Sequence, residues 1–160
     1  MSSEFYQEYI ESNRAIIYKI CRAYAANDEE FQDYFQEVCL QLWKARDNFN
    51  HQSKLSTWIY RVTLNVCLTL VRNNSKNPSK VEIQDYHLTG DPEEGSEKKA
   101  RLDLLYRSIR KLKEVDRGII LLYLEEKSYE EMADITGMSV SNIGVKVNRI
   151  KNQLKTIING

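Results

Sequence analysis

Towards the C-terminal end, Ser141, Asn142, Val145, Asn148, Arg149 and Asn152 recur at three- and four-residue intervals, with Lys146 at their flank and Lys151 beyond. On a helix that spacing gathers hydroxyl, amide and guanidinium groups on one face, and these are the groups that hydrogen-bond base edges and phosphate oxygens. A second stripe, Arg61, Asn65, Thr69 and Arg72, offers similar chemistry. A third, Asp33, Gln36, Glu37 and Gln41, is polar and acidic, which suits a basic partner. Nothing comparable supports bond-making chemistry. His51 and His87 are far apart, no Ser or Cys nucleophile stands with a base in a recognisable motif, and there is no phosphate-binding glycine loop. The three cysteines, Cys21, Cys39 and Cys67, have an odd count and no metal-type spacing, so neither a disulfide framework nor a metal site is expected, and no cofactor.

The elements that position these stripes are helices. Two prolines and six glycines in 160 residues, with abundant Leu, Ile, Glu, Lys, Gln and Arg, predict an all-α protein. Ile10, Ile16, Ile17, Ile20, Cys21 and Tyr24 form one apolar face of a first helix. A second helix starts near Asp28, whose carboxylate could cap it, and carries Phe31, Phe35, Val38, Cys39, Leu42 and Trp43 inward. After the irregular stretch 47–54, Ser56 or Thr57 opens a third helix with Trp58, Ile59, Val62, Val66, Cys67, Leu70 and Val71 on its apolar surface. Between Asn73 and Lys99 periodicity fades while Asn, Ser, Asp, Glu and both prolines accumulate, as in a mobile connection. Helical spacing returns at Leu102, Leu105, Ile109 and Leu112. The sequence therefore divides into two small helical domains, 5–74 and 100–158, joined by a linker over 75–99.

The formal net charge is zero, but the charges are segregated. Five acids and no base lie between Asp28 and Glu37, five bases against the single acid Asp47 between Lys44 and Arg72, and no acid follows Met138. Two basic stretches behind a neutral average predict two polyanion contacts, with the acidic stretch left for another partner. No apolar run approaches the roughly 20 residues of a membrane span, and the start lacks a basic signal-peptide region, so a cytoplasmic protein is expected.

The C-terminal stripe sits in a helix-turn-helix pattern. Ser128 and Glu131 form a capping box, Ala133 leaves room for a crossing helix, and Gly137 permits a left-handed turn. Ser139 or Ser141 can cap the next helix, which buries Val140, Ile143, Val147, Ile150 and Leu154. Taken together, these features in this order predict DNA binding.

The segment from Asp28 to Trp43, followed by Phe49 and by Ser56 to Asn65, resembles region 2 of bacterial sigma factors of the extracytoplasmic-function (ECF) group. The segment from Tyr123 to Leu154 resembles region 4 of the same group. The resemblance spans both domains in the right order and implies a subunit that binds core RNA polymerase, directs it to a promoter and helps to open the duplex. It implies that Asp33, Gln36, Glu37 and Gln41 meet the clamp helices of the largest polymerase subunit, with a further contact to the flap of the second-largest. Asn48 and Phe49, in the loop that receives an unstacked base, would act with Arg61, Asn65, Thr69 and Arg72 on the minus-ten element; Trp58, on the apolar stripe, is expected to be core. Ser141, Asn142, Val145, Lys146, Arg149 and Lys151 would meet the minus-thirty-five element.

Two departures from the family pattern stand out. Gly144 replaces a common basic residue of the recognition helix, and Val115-Asp116 replaces the usual Leu-Pro, with Asp116 still able to cap the helix that follows. The resemblance also implies an anti-sigma partner. The alternative is a helix-turn-helix repressor or activator with an N-terminal sensing or dimerisation domain.

Overall fold

The computed structural model describes residues 2–75 and 95–160, and among these every regular element is helical. Most of the expected linker, 76–94, lies outside the described residues. Its end does not: a helix begins at Ser96, inside the stretch expected to be irregular.

The chain opens with a short helix, α1 (Ser3–Phe5), which runs through a π turn (Tyr6–Ile10) and a 3-10 turn (Glu11–Asn13) into α2 (Arg14–Tyr24). The next helix, α3 (Asp28–Ala45), is capped by Asn27 rather than Asp28. Asn27 holds the extended backbone a cap requires, its Oδ1 accepts the Glu30 N–H at 2.8 Å, and Glu30 reaches back to the Ala26 N–H at 3.0 Å. Asp28, Glu29 and Glu30 thereby load the first turn, where acids oppose the positive helix end.

After a 3-10 turn (Arg46–Asn48) and an irregular stretch comes α4 (Leu55–Ser75), beginning one residue before the expected opener. Ile17, Ile20, Cys21, Phe31, Tyr34, Val38, Leu42, Trp58, Ile59 and Cys67 fill the core between α2, α3 and α4. Cys21, Cys39 and Cys67 are unpaired thiols in this interior, with Cys21 and Cys67 Sγ atoms 3.9 Å apart. The inward arc of α4 is wider than its apolar stripe suggests. Tyr60, Thr63 and Leu64 are buried while Val62, Val66, Leu70 and Val71 are only half-buried, because α4 is packed on a second side by the C-terminal helices.

Those helices are α5 (Ser96–Ile109), α6 (Glu114–Leu124), α7 (Tyr129–Thr136) and α8 (Val140–Asn159). The central one is α6, packed by α2, α4, α7 and α8, which explains its continuous buried run Ile119–Leu122. The contact between the two halves is built at the end of α2. The Tyr24 hydroxyl donates to the Glu114 carbonyl at 2.6 Å, while the last carbonyls of α2 receive guanidinium donors from the other half: Arg22 O from Arg110 Nε at 3.0 Å and Ala23 O from Arg117 Nη1 at 3.5 Å. A helix end that would otherwise leave carbonyls unsatisfied is thus used as a joint. Ion pairs Arg22–Asp103 at 2.6 Å and Lys19–Glu125 at 2.7 Å flank it.

Gly118 sits where α6 meets this joint. A Cβ there would lie 2.5 Å from Leu64 Cδ1 and 2.9 Å from the Tyr24 hydroxyl, which its hydrogen bond holds in place. At Gly144 a Cβ would rest 3.4 Å from the Tyr129 ring. Opposite outcomes are expected for the two glycines in thermal melting. Gly118→Leu overpacks the joint and costs about 1–3 kcal/mol, whereas Gly144→Ala leaves the melting temperature unchanged or raises it, the helix gaining up to about 1 kcal/mol.

Candidate functional site

The helix-turn-helix is held by local chemistry. Ser128 Oγ accepts the Glu131 N–H at 3.1 Å and Glu131 Oε1 accepts the Ser128 N–H at 3.3 Å, the full capping box. Gly137 takes φ 79° at the end of α7, the left-handed value that ends a helix without penalty only for glycine. Thr136 Oγ1 then accepts the Met138 N–H at 3.2 Å, and Ser139 Oγ accepts the Asn142 N–H at 3.1 Å. Ser139 is therefore the cap of α8, and Ser141 is left exposed on the helix. Ile143, Val147, Ile150 and Leu154 are buried. Val140, expected in the same stripe, is 43% exposed, since it is the first residue of α8 and precedes the turn that the other helices cover.

The outer face of α8 carries Ser141, Asn142, Val145, Asn148, Arg149 and Asn152, all exposed, with Lys146 half-buried at the edge. Two of the expected contacts have partners inside the protein. Arg149 Nη2 lies 3.3 Å from both oxygens of Asp116. Asp116 is accordingly not a cap: Lys113 holds the N-cap position of α6, and Asp116 lies buried in the first turn, where a carboxylate needs a counter-charge. Lys151 is engaged elsewhere, its Nζ 3.2 Å from the Tyr123 hydroxyl and 5.0 Å above that ring.

On α4, Asn65, Thr69 and Arg72 are exposed along one face. Thr69 Oγ1 donates to the Asn65 carbonyl at 2.9 Å, so its hydroxyl proton is used within the helix. Arg61 is half-buried and donates to the Asp134 carbonyl of α7 at 2.7 Å, which links this stripe to the helix-turn-helix. In the loop before α4, Asn48 is exposed and Phe49 is half-buried, packed between Trp58 and His51 with ring centroids at 5.4 Å and 4.4 Å. Trp58 is buried, as its place on the apolar stripe predicts.

Asp33 and Gln36 are exposed on α3, and Glu37 and Gln41 are half-buried beside them, with Gln41 Nε2 donating to Glu37 Oε1 at 2.8 Å. Asp33 and Glu37 line an open cleft of about 470 Å³ that also takes in Glu29, Glu30, Tyr34, Leu70 and Asn74. Asn74 Nδ2 bridges Glu30 and the Tyr34 hydroxyl at 3.2 and 3.1 Å and so ties the end of α4 to the start of α3. Sequence reasoning missed Glu29 and Glu30 as part of this surface. Their signal was present in the run of five acids between Asp28 and Glu37, of which only Asp33 and Glu37 follow the polar stripe.

Comparison with known proteins places the chain in a family. The family model described as Sigma-70 region 2 matches residues 9–77, and that described as Sigma-70, region 4 matches residues 102–154. Between them the two models take in most of the chain. The chain is 26% identical to the ECF RNA polymerase sigma factor SigW of Bacillus subtilis, over 87% of this chain and 81% of that protein.

The chain belongs to the ECF group of sigma-70 factors.

This sigma factor is also 26% identical to SigG of Mycobacterium tuberculosis, over 86% of its own length but only 44% of SigG's. Its fold matches that of the sigma factor RpoE of Bartonella quintana, solved in complex with the anti-sigma factor NepR, with a TM-score of 0.77 over 99% of this chain and 98% of the other at 18% identity. It also matches CnrH, solved with the cytosolic domain of CnrY, at a TM-score of 0.68 over 99% and 90% of the two chains, again at 18% identity. The repressor alternative is not favoured, because the N-terminal half matches sigma region 2. No helix among the described residues is long and apolar enough to cross a membrane.

The capping box gives the sigma factor's helix-turn-helix a pH dependence. Hydrogen bonds from the Ser128 backbone and side chain hold the Glu131 carboxyl below its ordinary range. A lowered folded-state value means that the stabilisation is present above the ordinary carboxylate range and is lost as pH falls through the folded-state value. Glu131→Gln is therefore expected to lower the melting temperature near neutral pH, and the gap from wild type is expected to close on acidification.

Proposed function

We propose that this sigma factor joins core RNA polymerase through the α3 face and places α8 and α4 on promoter DNA, acting in the cytoplasm in two working units, 5–74 and 100–158, connected by 75–99. The observation that carries the reading is the separation of two faces of opposite character on one family scaffold. The outer face of α8 has amide, hydroxyl and guanidinium groups on a helix without a single acid, while the α3 surface brings Glu29, Glu30, Asp33 and Glu37 together around a cleft. The first suits DNA and the second a basic protein helix.

In this reading Asp33, Gln36, Glu37 and Gln41 meet the polymerase clamp helices, and the C-terminal half meets the flap. Ser141, Asn142, Val145, Lys146 and Arg149 engage the minus-thirty-five element, Arg149 using guanidinium donors that Asp116 does not occupy. Lys151 serves as a phosphate contact only if it leaves Tyr123. Asn48, Phe49, Asn65, Thr69 and Arg72 act at the minus-ten element, and Arg61 joins them by exchanging the Asp134 carbonyl for a phosphate. Capture of an unpaired base in the loop before α4 offsets the unstacking of that base, so that binding itself drives melting. The solved complex of the sigma factor RpoE with the anti-sigma factor NepR supports an anti-sigma factor as a further partner.

Glu37→Lys is expected to abolish co-elution with core RNA polymerase in gel filtration while leaving the circular dichroism spectrum unchanged. A charge-reversed protein that still forms the holoenzyme removes the clamp assignment. Asn65→Ala is expected to leave recruitment to a duplex promoter intact and to reduce permanganate reactivity of the bubble. Undiminished reactivity contradicts its role in opening.

A further inference from the structure

Val145 is the most exposed large apolar side chain among the described residues, at 70%, well above Val140 at 43%. Its position is not at a margin. With about 100° of turn per residue, Ser141, Asn142, Asn148, Arg149 and Asn152 all fall within roughly 60° of it on one side or the other, so Val145 stands at the centre of the polar face of α8. Nothing in the fold explains an apolar residue there. Val145 is not among the apolar side chains packed against the core, and a β-branched residue on a solvated face is a weaker helix former than Ala, Lys or Gln.

The face around it is a base-reading set, with amides at Asn142, Asn148 and Asn152, a hydroxyl at Ser141 and a guanidinium at Arg149. The major-groove edges of the four base pairs present donors and acceptors to such groups and one apolar group alone, the C5 methyl of thymine. We propose that Val145 is a specificity-determining residue that packs against a thymine methyl in the upstream promoter element, so that this element contains a thymine selected through its methyl group. The inference rests on the assignment of α8 to upstream promoter DNA and adds the base and the atom that are read.

The test uses holoenzyme assembled from core RNA polymerase and the full chain, with a fluorescent duplex promoter fragment selected from a random-sequence library. Each thymine of the upstream element is replaced singly by deoxyuridine, which removes the methyl and leaves every hydrogen-bonding group in place. The wild-type holoenzyme is expected to lose about fourfold in affinity at one position, the size expected for the burial of one methyl group. Val145→Ala is expected to bind the unmodified fragment less tightly and to be indifferent to deoxyuridine at that same position. A wild-type holoenzyme indifferent to every substitution overturns the inference, as does a uracil penalty that persists in Val145→Ala. If scrambling the whole upstream element leaves wild-type binding unchanged, the assignment of α8 to DNA fails along with it, and that result is distinct from the other two.

Discussion

The arrangement of the faces depends on one joint, the C-terminal end of α2 seated against α6. Tyr24 is buried there, and burial raises its phenol far above its ordinary range, so it stays protonated and continues to donate to the Glu114 carbonyl. The adjacent carbonyls of Arg22 and Ala23 are satisfied by Arg110 and Arg117. Burial lowers the Arg117 value, yet guanidinium starts so high that the charge, and with it the donor, is kept. Two guanidiniums from the other half thus do for this helix end what a glycine and a following turn do elsewhere, while the Tyr24 phenol ties it to the start of α6. Gly118 lets the two surfaces meet without a Cβ between them.

With this joint closed, the three stripes stand in different states. The polar face of α8 and the acidic face of α3 are open to solvent. The α4 stripe is engaged at one end, where Arg61 holds the last turn of α7 and Lys127 lies 5.1 Å above the Tyr60 ring. The outer face of α8 and the acidic face of α3 are thus uncovered, while Arg61, the first residue of the α4 stripe, is held against α7. Arg149 is a milder case, because one of its nitrogens serves Asp116 and the remaining donors stay available. Its tether also fixes where on the outer face of α8 the guanidinium stands.

What could be read in the sequence follows from the range of the interactions. The capping box, the turn at Gly137 and the buried stripe of α8 involve residues within a few positions of one another, and their types alone specify them. The same holds for the apolar faces of α2 and α3 and for Trp58 as core. Residue type is insufficient where a distant group decides. Asp116 carries the type of a cap, but its carboxylate is recruited by an arginine 33 residues away. Arg61 has the right type for a phosphate, and its hydrogen bond to a carbonyl 73 residues on is a contact that residue type does not reveal. The inward turn of Tyr60, Thr63 and Leu64 required knowledge that α6 and α7 lie on α4. Tyr34, Tyr60 and Tyr106 were overlooked as core for a related reason: tyrosine suits interior and surface alike until its hydroxyl finds a site. At the start of α3 the choice between Asn27 and Asp28 turned on one residue of register, which composition does not resolve.

The central claim is that this chain acts on DNA as a subunit of RNA polymerase. It is tested most directly by transcription in vitro from a library of genomic fragments with purified core polymerase, with and without the protein. The account predicts protein-dependent transcripts whose start sites share two upstream elements at fixed spacing, one for α8 and one for α4, and none when either component is omitted. Tight, sequence-selective binding of the protein alone to duplex DNA, with no protein-dependent transcript, would contradict it.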